Sequence, residues 1–273
     1  MKTKEMEKFE NFYKEYVDYL KTFSGKDRKF KIARDEEKFE KISLNLPWGV
    51  RNCLRQKEDD GNYKLQLSRG MSLSLDFTPE EAYNHITFLI DEIIESDIIR
   101  INELDGIIKN KTNLKIENYK PENFFEIGFR IPRLQKLYKE RGLGEAGCDI
   151  NQFNVKSGNL LGFNCIEIDL TKKIEISDLK KSNLIVCYHV IEHLTDPLFF
   201  LKNLYDSTSN NTLFHFEIPV EPDGPHIARA HLFPFHEKDL LRMVEAAGFR
   251  PLTISNSTHT GGPVVERVSF FKD

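Results

Sequence analysis

Histidine and acidic side chains cluster directly after an apolar run in the second half of the chain. The run Asn-Leu-Ile-Val-Cys-Tyr over residues 183–188 precedes His189, Glu192 and His193. Imidazole and carboxylate groups bind divalent metal ions, and imidazole also moves protons near neutral pH. The spacing therefore makes Glu192 and His193 a candidate metal site, with His189 as a further candidate ligand. The alternative is that Glu192 and His193 are structural residues of the turn between strand and helix.

A second group of histidines follows the apolar run at 212–218. His226, His231 and His236 lie there together with Arg229. A hydroxyl nucleophile profits from a nearby base, and histidine can accept its proton. We expect His231, and then His226, to be the general base or to complete the metal site, and His236 to start the following helix.

A glycine turn and a carboxylate form the third constellation. Glu126-Ile-Gly128 ends an apolar run, and Asp149 follows a second short run, 21 residues after Gly128. This is the spacing of a nucleotide-binding β-α-β unit, in which the carboxylate binds ribose hydroxyls. Arg130 and Pro132 stand where a dinucleotide fingerprint has small residues, so the pattern favours a nucleoside ligand without phosphates.

The elements that would position these residues alternate between strand and helix, which predicts an open, mostly parallel sheet with helices on both faces. Strands are expected near 123–127, 145–149, 163–168, 182–188, 212–218, 251–255 and 265–271. Helices are expected near 133–141, 151–158, 196–205 and 236–247. Ligands bind beyond the carboxyl ends of strands in such sheets, and this adds Asp169 to the candidates.

Five motifs in this order resemble the class I S-adenosylmethionine-dependent methyltransferases over residues 120–273. They are Glu126-Ile-Gly128, Gly-Cys-Asp149, Ile-Asp169, Cys-Tyr-His-Val-Ile-Glu-His-Leu-Thr-Asp-Pro197 and Leu-Arg-Met-Val-Glu-Ala-Ala-Gly-Phe249. The resemblance implies an α/β fold with a Rossmann-like, mostly parallel, seven-stranded methyltransferase sheet. It also implies S-adenosyl-L-methionine as the cofactor.

The resemblance assigns roles to individual positions. Gly128 would let the turn approach the methionine part of the cofactor, and Arg130 would pair with its carboxylate. Asp149 would hold the ribose hydroxyls, and Asp169 would lie near the adenine amino group. His189 would line the floor of the site. The implied cofactor-binding set is Glu126, Gly128, Arg130, Asp149, Asp169 and His189.

The cluster of His189, Glu192 and His193 allows two more specific interpretations. Some relatives, including ubiquinone-pathway and small-RNA terminal O-methyltransferases, carry a metal-binding Glu-x-x-Glu-His cluster, and this chain has His189 in place of the first Glu. His-x-x-Glu-His is also the pattern of inverted zinc peptidases, which place it on a helix. The apolar run before it and Pro197 after it indicate a strand tip, which argues against a peptidase.

The first 120 residues form a separate, mainly helical region in this interpretation. Apolar residues at helical spacing predict a helix over 5–22, and Thr78 with Pro79 predicts the start of a helix over 79–95. The charged stretch 26–41 is expected to be a solvated helix face, and 46–77 to be loops or a short hairpin. Residues 1–120 would act as a lid, substrate selector or dimerisation element, and 121–273 would bind the cofactor.

Net charge and apolar content limit the kinds of binding partner that the chain is expected to have. The net charge of −4 argues against a broad grip on nucleic acid, and the longest apolar runs are too short for a membrane helix. We expect a cytoplasmic protein, with a homodimer formed through the N-terminal region. The four cysteines, Cys53, Cys148, Cys165 and Cys187, lack metal-ligand spacing and are expected to be buried apolar residues.

The sequence thus predicts an O-methyltransferase that acts on a small hydroxylated metabolite or a sugar, such as a surface-polysaccharide precursor. The alternative is a non-catalytic binding or regulatory subunit with the same fold, favoured by Arg130 and Pro132 in the glycine turn.

Overall fold

Two compact units, residues 1–89 and 90–273, make up the chain in a computed structural model. The structure describes residues 3–22, 30–31, 39–46, 49–57, 63–66, 78–220, 231, 233–258 and 264–273. None of the helices in these ranges is both long enough and apolar enough to cross a membrane.

The first unit combines helices with an antiparallel sheet. Its elements are α1 (Lys4–Thr22), β1 (Phe30–Lys31), β2 (Phe39–Leu46), β3 (Gly49–Lys57), β4 (Tyr63–Gln66) and α2 (Pro79–Asp91), with the strands in sequential order. The two predicted helices are confirmed. Strands β3 and β4 lie in the stretch 46–77 that was expected to hold loops or a short hairpin. Strand β1 and the first residues of β2 lie in the stretch 26–41, where a solvated helix face was expected.

The ends and buried faces of these two helices follow from their sequence. Glu81 N–H donates to Thr78 Oγ1 at 3.2 Å, and Thr78 N–H donates to the Glu81 carboxylate at 2.7 Å, which forms a capping box. Phe9, Phe12 and Tyr13 on α1 are buried, and the Phe9 ring stacks on Tyr13 at 6.3 Å. These three side chains belong to the apolar stripe that the three- and four-residue spacing predicted, and the side chains of its other members, Tyr16, Val17 and Leu20, lie outside the described residues.

The second unit contains the alternating elements. They are α3 (Glu95–Lys109), β5 (Asn123–Ile127), α4 (Arg133–Glu140), β6 (Gly144–Asp149), α5 (Gln152–Leu160), β7 (Cys165–Glu167), α6 (Ser177–Lys181), β8 (Leu184–Tyr188), a 3-10 turn (Ile191–His193), α7 (Pro197–Ser207), β9 (Thr212–Pro219), α8 (Asp239–Ala246), β10 (Arg250–Thr258) and β11 (Val264–Lys272). All seven predicted strands are present. Helices α3 and α6 are additional to the prediction.

The seven strands form one sheet in the order β10-β11-β9-β8-β5-β6-β7. Strands β9, β8, β5, β6 and β7 are neighbours in this order, and each pairs in parallel with the next. Strand β11 is antiparallel to both β9 and β10. Strand order reverses between β5 and β8, since one crossover leads from β5 to β6 and the chain later returns to β8. Such a switch point is where open α/β sheets bind ligands.

Alternate side chains of the central strands enter two cores, because successive residues of a strand point to opposite faces. Phe125 and Ile185 pack on one face in a core that includes buried residues of α7 and α8. Phe124 and Val186 pack on the other face with buried residues of α3 and α4. The helices therefore cover both faces, and α3, which the sequence interpretation assigned to the N-terminal region, packs on the sheet.

Three cysteines behave as apolar core residues. Cys148, Cys165 and Cys187 are buried thiols that form no disulfide. Burial raises the pKa of each of these thiols, so they stay protonated. Cys53 lies in β3, and its side chain is outside the described residues.

Candidate functional site

The candidate residues gather at the carboxyl edge of the sheet. Gly128 follows β5, Asp149 ends β6, His189 follows β8, and Glu217 lies near the end of β9. Because these four strands run in parallel, their carboxyl ends open on the same side of the sheet. The fold thus brings together residues that are far apart in the sequence.

Gly128 is required by both backbone conformation and space. Its φ is +73°, a left-handed value that favours glycine. A Cβ built on it would lie 2.2 Å from Val190 Cγ2. Its N–H donates to the Cys148 carbonyl at 2.7 Å, which ties the turn to β6.

The Asp149 carboxylate organises this turn from the end of β6. It accepts hydrogen bonds from Arg130 N–H at 3.0 Å, Asn151 N–H at 2.7 Å and the Asn154 side chain at 3.2 Å. Arg130 has a φ of +48°, which aims its N–H at this carboxylate. These three donors fix the orientation of the Asp149 carboxylate at the end of β6.

Ile150 was missed by the sequence interpretation. Its residue surface is 65% exposed although it is apolar, and it directly follows Asp149. An exposed apolar side chain at this edge of the sheet offers a surface on which a flat ring can pack. Ile150 could have been identified from the sequence, because it directly follows the last residue of a predicted strand and so has no neighbouring strand to pack against.

Asp169 has the contacts of a turn residue. Its carboxylate accepts from the Thr171 hydroxyl at 2.6 Å and pairs with Lys172 at 3.0 Å. The Thr171 hydroxyl is the main cause of the lowered pKa of Asp169, which outweighs its partial burial. Ile168 N–H donates to the Asp149 carbonyl at 3.2 Å, so Asp169 lies at the same edge as Asp149.

Glu126 is buried beneath the glycine turn. One of its carboxylate oxygens has no hydrogen-bond partner within the described part of the chain. Burial raises the pKa of Glu126 well above its usual value, and the Asp97 carboxylate adds to this shift. A buried acid with an unused oxygen is a fitting partner for a ligand ammonium group, because the ammonium would stabilise its ionised form.

Glu192, His193 and His231 form a candidate metal centre. Glu192 lies in the 3-10 turn and is 1% exposed, and no described donor meets its oxygens in hydrogen-bond geometry. Its Oε1 lies 4.0 Å from His193 Nε2 and 3.9 Å from His231 Nε2. One ligand atom from each residue lies within 4.8 Å of the other two. His226, the other candidate base, is outside the described residues, as is Arg229.

His189 bridges this cluster to the sheet. Its Nδ1 lies 3.4 Å from Glu192 Oε1, and its Nε2 lies 2.9 Å from Glu217 Oε1. Burial by itself lowers the pKa of His189, but the interactions with Glu192 and Glu217 outweigh burial and raise it to about 9. His236 lies apart from this cluster, where its N–H donates to the Asp239 carboxylate at 2.9 Å before α8.

Glu217 is the centre of a buried ionic network that the sequence interpretation did not find. Arg100 from α3 donates to one of its oxygens, and Arg267 from β11 donates to the other. Arg100 also pairs with Asp97 at 3.2 Å and lies over the Tyr188 ring. Burial would raise the pKa of Glu217, but the hydrogen bond from His189 and the charge of Arg100 hold it far below its usual range.

Comparison with protein-family models gives no match, and comparison with curated protein sequences gives none either. Solved structures give matches at low identity. An S-adenosylmethionine-dependent methyltransferase from Clostridium acetobutylicum ATCC 824 is 13% identical with a TM-score of 0.49, over 70% of this chain and 98% of that one. A methyltransferase of the same kind from Archaeoglobus fulgidus is 19% identical with a TM-score of 0.44, over 61% and 94%.

A third such structure is magnesium protoporphyrin IX methyltransferase from Synechocystis PCC 6803, which is 13% identical with a TM-score of 0.45, over 70% of this chain and 94% of that chain. The strand order and directions confirm the seven-stranded, mostly parallel, Rossmann-like sheet that the sequence resemblance implied. Activity has to be inferred from the site residues themselves.

Proposed function

We propose that the chain is an S-adenosylmethionine-dependent methyltransferase. The observation that carries the proposal is the meeting of three features at one sheet edge: the left-handed Gly128 turn, the strand-end carboxylate of Asp149 and the buried Glu126 with an unused oxygen. Each suits a different part of a nucleoside that carries an amino acid.

The described residues fit this cofactor at separate points. Asp149 would accept the ribose hydroxyls, and Ile150 would pack on the adenine. Glu126 would pair with the ammonium of the methionine part. Asp169 stands at the same edge for the adenine amino group, and Arg130 is proposed for the cofactor carboxylate.

S-adenosylmethionine supplies an electrophilic methyl group when it is bound. The chain has to hold the acceptor in line with that group and exclude water, because orientation accounts for much of the barrier reduction in such displacements. A hydroxyl acceptor also needs a base, and the candidates are His231 and His226 in the loop after β9. We propose a small hydroxylated metabolite or a sugar as acceptor, such as a surface-polysaccharide precursor. Residues 1–120 are proposed as lid, substrate selector or dimerisation element.

We also propose that Glu192, His193 and His231 bind a divalent metal ion. Two imidazoles and a carboxylate are a common ligand set for divalent transition metals, and no described donor meets the buried Glu192 oxygens in hydrogen-bond geometry. A histidine that coordinates a metal has no lone pair left to accept a proton at the same nitrogen. If His231 is a ligand, His226 becomes the base.

A specific observation also favours the alternative of a non-catalytic subunit. Asp149 already accepts three hydrogen bonds within the chain, and Val190 fills the space beside Gly128. In this alternative the glycine turn is a closed structural unit. The two functions differ in whether the nucleoside binds at all.

Calorimetric titration with S-adenosylmethionine and S-adenosylhomocysteine distinguishes a methyltransferase from a non-catalytic subunit. We expect micromolar binding of both, and a decrease in affinity of about 10- to 100-fold for Asp149→Asn, since a hydrogen bond to a charged group contributes about 1.5 to 3 kcal/mol. Asp178→Asn is the control, because Asp178 lies on α6 and pairs only loosely with Lys181 at 4.0 Å. Absence of binding to the unmodified protein would support the non-catalytic alternative.

A further inference from the structure

We propose that His189 is not a metal ligand but a positioning residue that fixes the carboxylate of Glu192, with Glu217 as its support. This inference rests on the proposed metal site at Glu192, His193 and His231. It reduces the four candidate ligands to three.

Both ring nitrogens of His189 are directed at carboxylates. Nε2 lies 2.9 Å from Glu217 Oε1, and Nδ1 lies 3.4 Å from Glu192 Oε1. A histidine binds a metal through the lone pair of one nitrogen. To bind the metal, His189 would have to give up one of these two carboxylates. Metal-binding carboxylates are themselves commonly held by polar groups behind them, and His189 is placed to do this for Glu192 through the close contact of Nδ1 with Oε1, although the contact lacks hydrogen-bond geometry.

Glu217 can hold the His189 ring in place because its own carboxylate is held on both sides. It is 1% exposed, and its two oxygens are held by Arg100 and Arg267 from different elements. The backbone of His189 is attached to the same residue, because His189 N–H donates to the Glu217 carbonyl at 3.0 Å. The side chain and backbone of His189 are therefore positioned by one residue of β9.

The same contact explains why histidine stands at this position. A glutamate at 189, as in the Glu-x-x-Glu-His cluster of some relatives, would bring a carboxylate next to the buried carboxylate of Glu217. Like charges so close together in a buried site are strongly unfavourable. Histidine is complementary to both Glu217 and Glu192, and it occupies the position with a φ of +54°.

The experiment is a titration of the metal-free full-length protein with Co²⁺, followed by calorimetry and by the visible absorption spectrum. The spectrum reports the number and type of ligands, which a purely structural role would not change. For His189→Ala we expect an affinity about 10- to 100-fold lower than that of the unmodified protein, as for other outer-shell contacts, with the spectrum unchanged. His189→Gln should recover part of the loss, since its amide can donate to a carboxylate.

The comparison variants are His193→Ala and His231→Ala, which remove proposed ligands and should change the spectrum or abolish binding. A spectrum of His189→Ala that changes as theirs does would make His189 a ligand and overturn the inference. Glu217→Gln should lower Co²⁺ affinity to the same extent as His189→Ala. The variant that carries both substitutions should bind Co²⁺ no more weakly than either single variant. If Glu217→Gln binds Co²⁺ as the unmodified protein does, Glu217 is not the support.

Folding of each variant is checked by circular dichroism and thermal unfolding. If the unmodified protein binds no Co²⁺, the metal site and this inference are both wrong, whereas the titration with S-adenosylmethionine tests the methyltransferase proposal separately.

Discussion

At the scale of single residues, two residues with strained backbone lie at the candidate site. Arg130 and His189 are non-glycine residues with positive φ, and each follows one of the two strands that flank the switch point, β5 and β8. Left-handed conformations cost about 1 to 2 kcal/mol for such residues and persist where surrounding contacts determine them. Here the contacts are the carboxylate of Asp149 and the backbone and side chain of Glu217.

Gly128→Ala is expected to destabilise the protein by about 2 to 4 kcal/mol, because it adds the cost of a left-handed alanine to that of a clash with Val190. Gly162→Ala is the matched control. Its φ is also positive, at +86°, but an added Cβ would meet no atom within 4 Å. Gly162→Ala should therefore cost only about 1 to 2 kcal/mol. The free energies of unfolding in urea give the comparison, and equal losses in the two variants would contradict the close contact with Val190.

Metal binding should be visible as stabilisation. A ligand at about 100 times its dissociation constant stabilises the folded state by about 2.7 kcal/mol, which corresponds to an increase in Tm of roughly 5 to 10 °C for a unit of this size. We expect Mn²⁺ or Co²⁺ to produce this increase in chelator-treated protein, and Glu192→Gln to remove most of it. An equal shift in Glu192→Gln would place the ion elsewhere.

At the scale of elements, β9 and α3 support the site. Strand β9 is buried along its whole length and still carries His215 and Glu217, whose partners come from other elements. Helix α3 carries the buried polar residues Asp97 and Arg100 on the face that packs on the sheet. Glu217 therefore links the support of the proposed metal centre to the packing of α3.

The buried histidine of β9 should make stability depend on pH. His215 lies near Ser269, whose hydroxyl is 2.8 Å from Nδ1, and near the charged groups of Glu103, Arg267 and Glu217. Burial is the main cause that lowers the pKa of His215 to about 3, and Arg267 contributes. Since the unfolded chain binds a proton near pH 6.5 and the folded chain does not, this contribution to stability is complete above pH 6.5. It is lost progressively as the pH falls toward 3.

Comparison with His215→Asn isolates this effect, because the asparagine amide can keep the contact with Ser269. Between pH 7.5 and pH 5 the unmodified protein should lose about 2 kcal/mol more stability than the variant. This follows because each pH unit below the unfolded-state pKa of His215 costs about 1.36 kcal/mol. Urea unfolding at the two pH values measures the difference. Equal losses in both proteins would mean that His215 is protonated in the folded state.

These elements also mark what the sequence can predict. Strand β8 was placed correctly because Leu184, Ile185 and Val186 form a continuous apolar run, as buried parallel strands do. The pairing of Arg100 with Glu217 could not be predicted, since 117 residues separate them and only the packing of α3 on β9 brings them together. Glu192 and His193 could be named as candidate metal ligands because they adjoin a recognisable strand end. Arg267 looks in the sequence like an ordinary polar residue of an edge strand.

At the scale of the whole molecule, the division of the chain differs from the boundary drawn from the resemblance. The resemblance begins at residue 120, but the compact second unit begins at residue 90. The residues between these points contribute α3 to one face of the sheet, where Ile101, Leu104 and Ile107 belong to the same core as Phe124 and Val186. The proposed domain boundary at 120 would leave this face uncovered.

Two fragments test where the unit proposed to bind the cofactor begins. A fragment of residues 92–273 starts after α2 and keeps α3, so we expect it to be monomeric, to unfold cooperatively and to bind S-adenosylmethionine. A fragment of residues 121–273 exposes Phe124 and Val186 and leaves Glu217 without Arg100, which uncovers a buried carboxylate as well as apolar surface. We expect this shorter fragment to aggregate or to unfold without a cooperative transition. Size-exclusion chromatography and urea unfolding measure both properties. If the shorter fragment folded as well as the longer one, α3 would belong functionally to the N-terminal region, and the boundary at 120 would be correct.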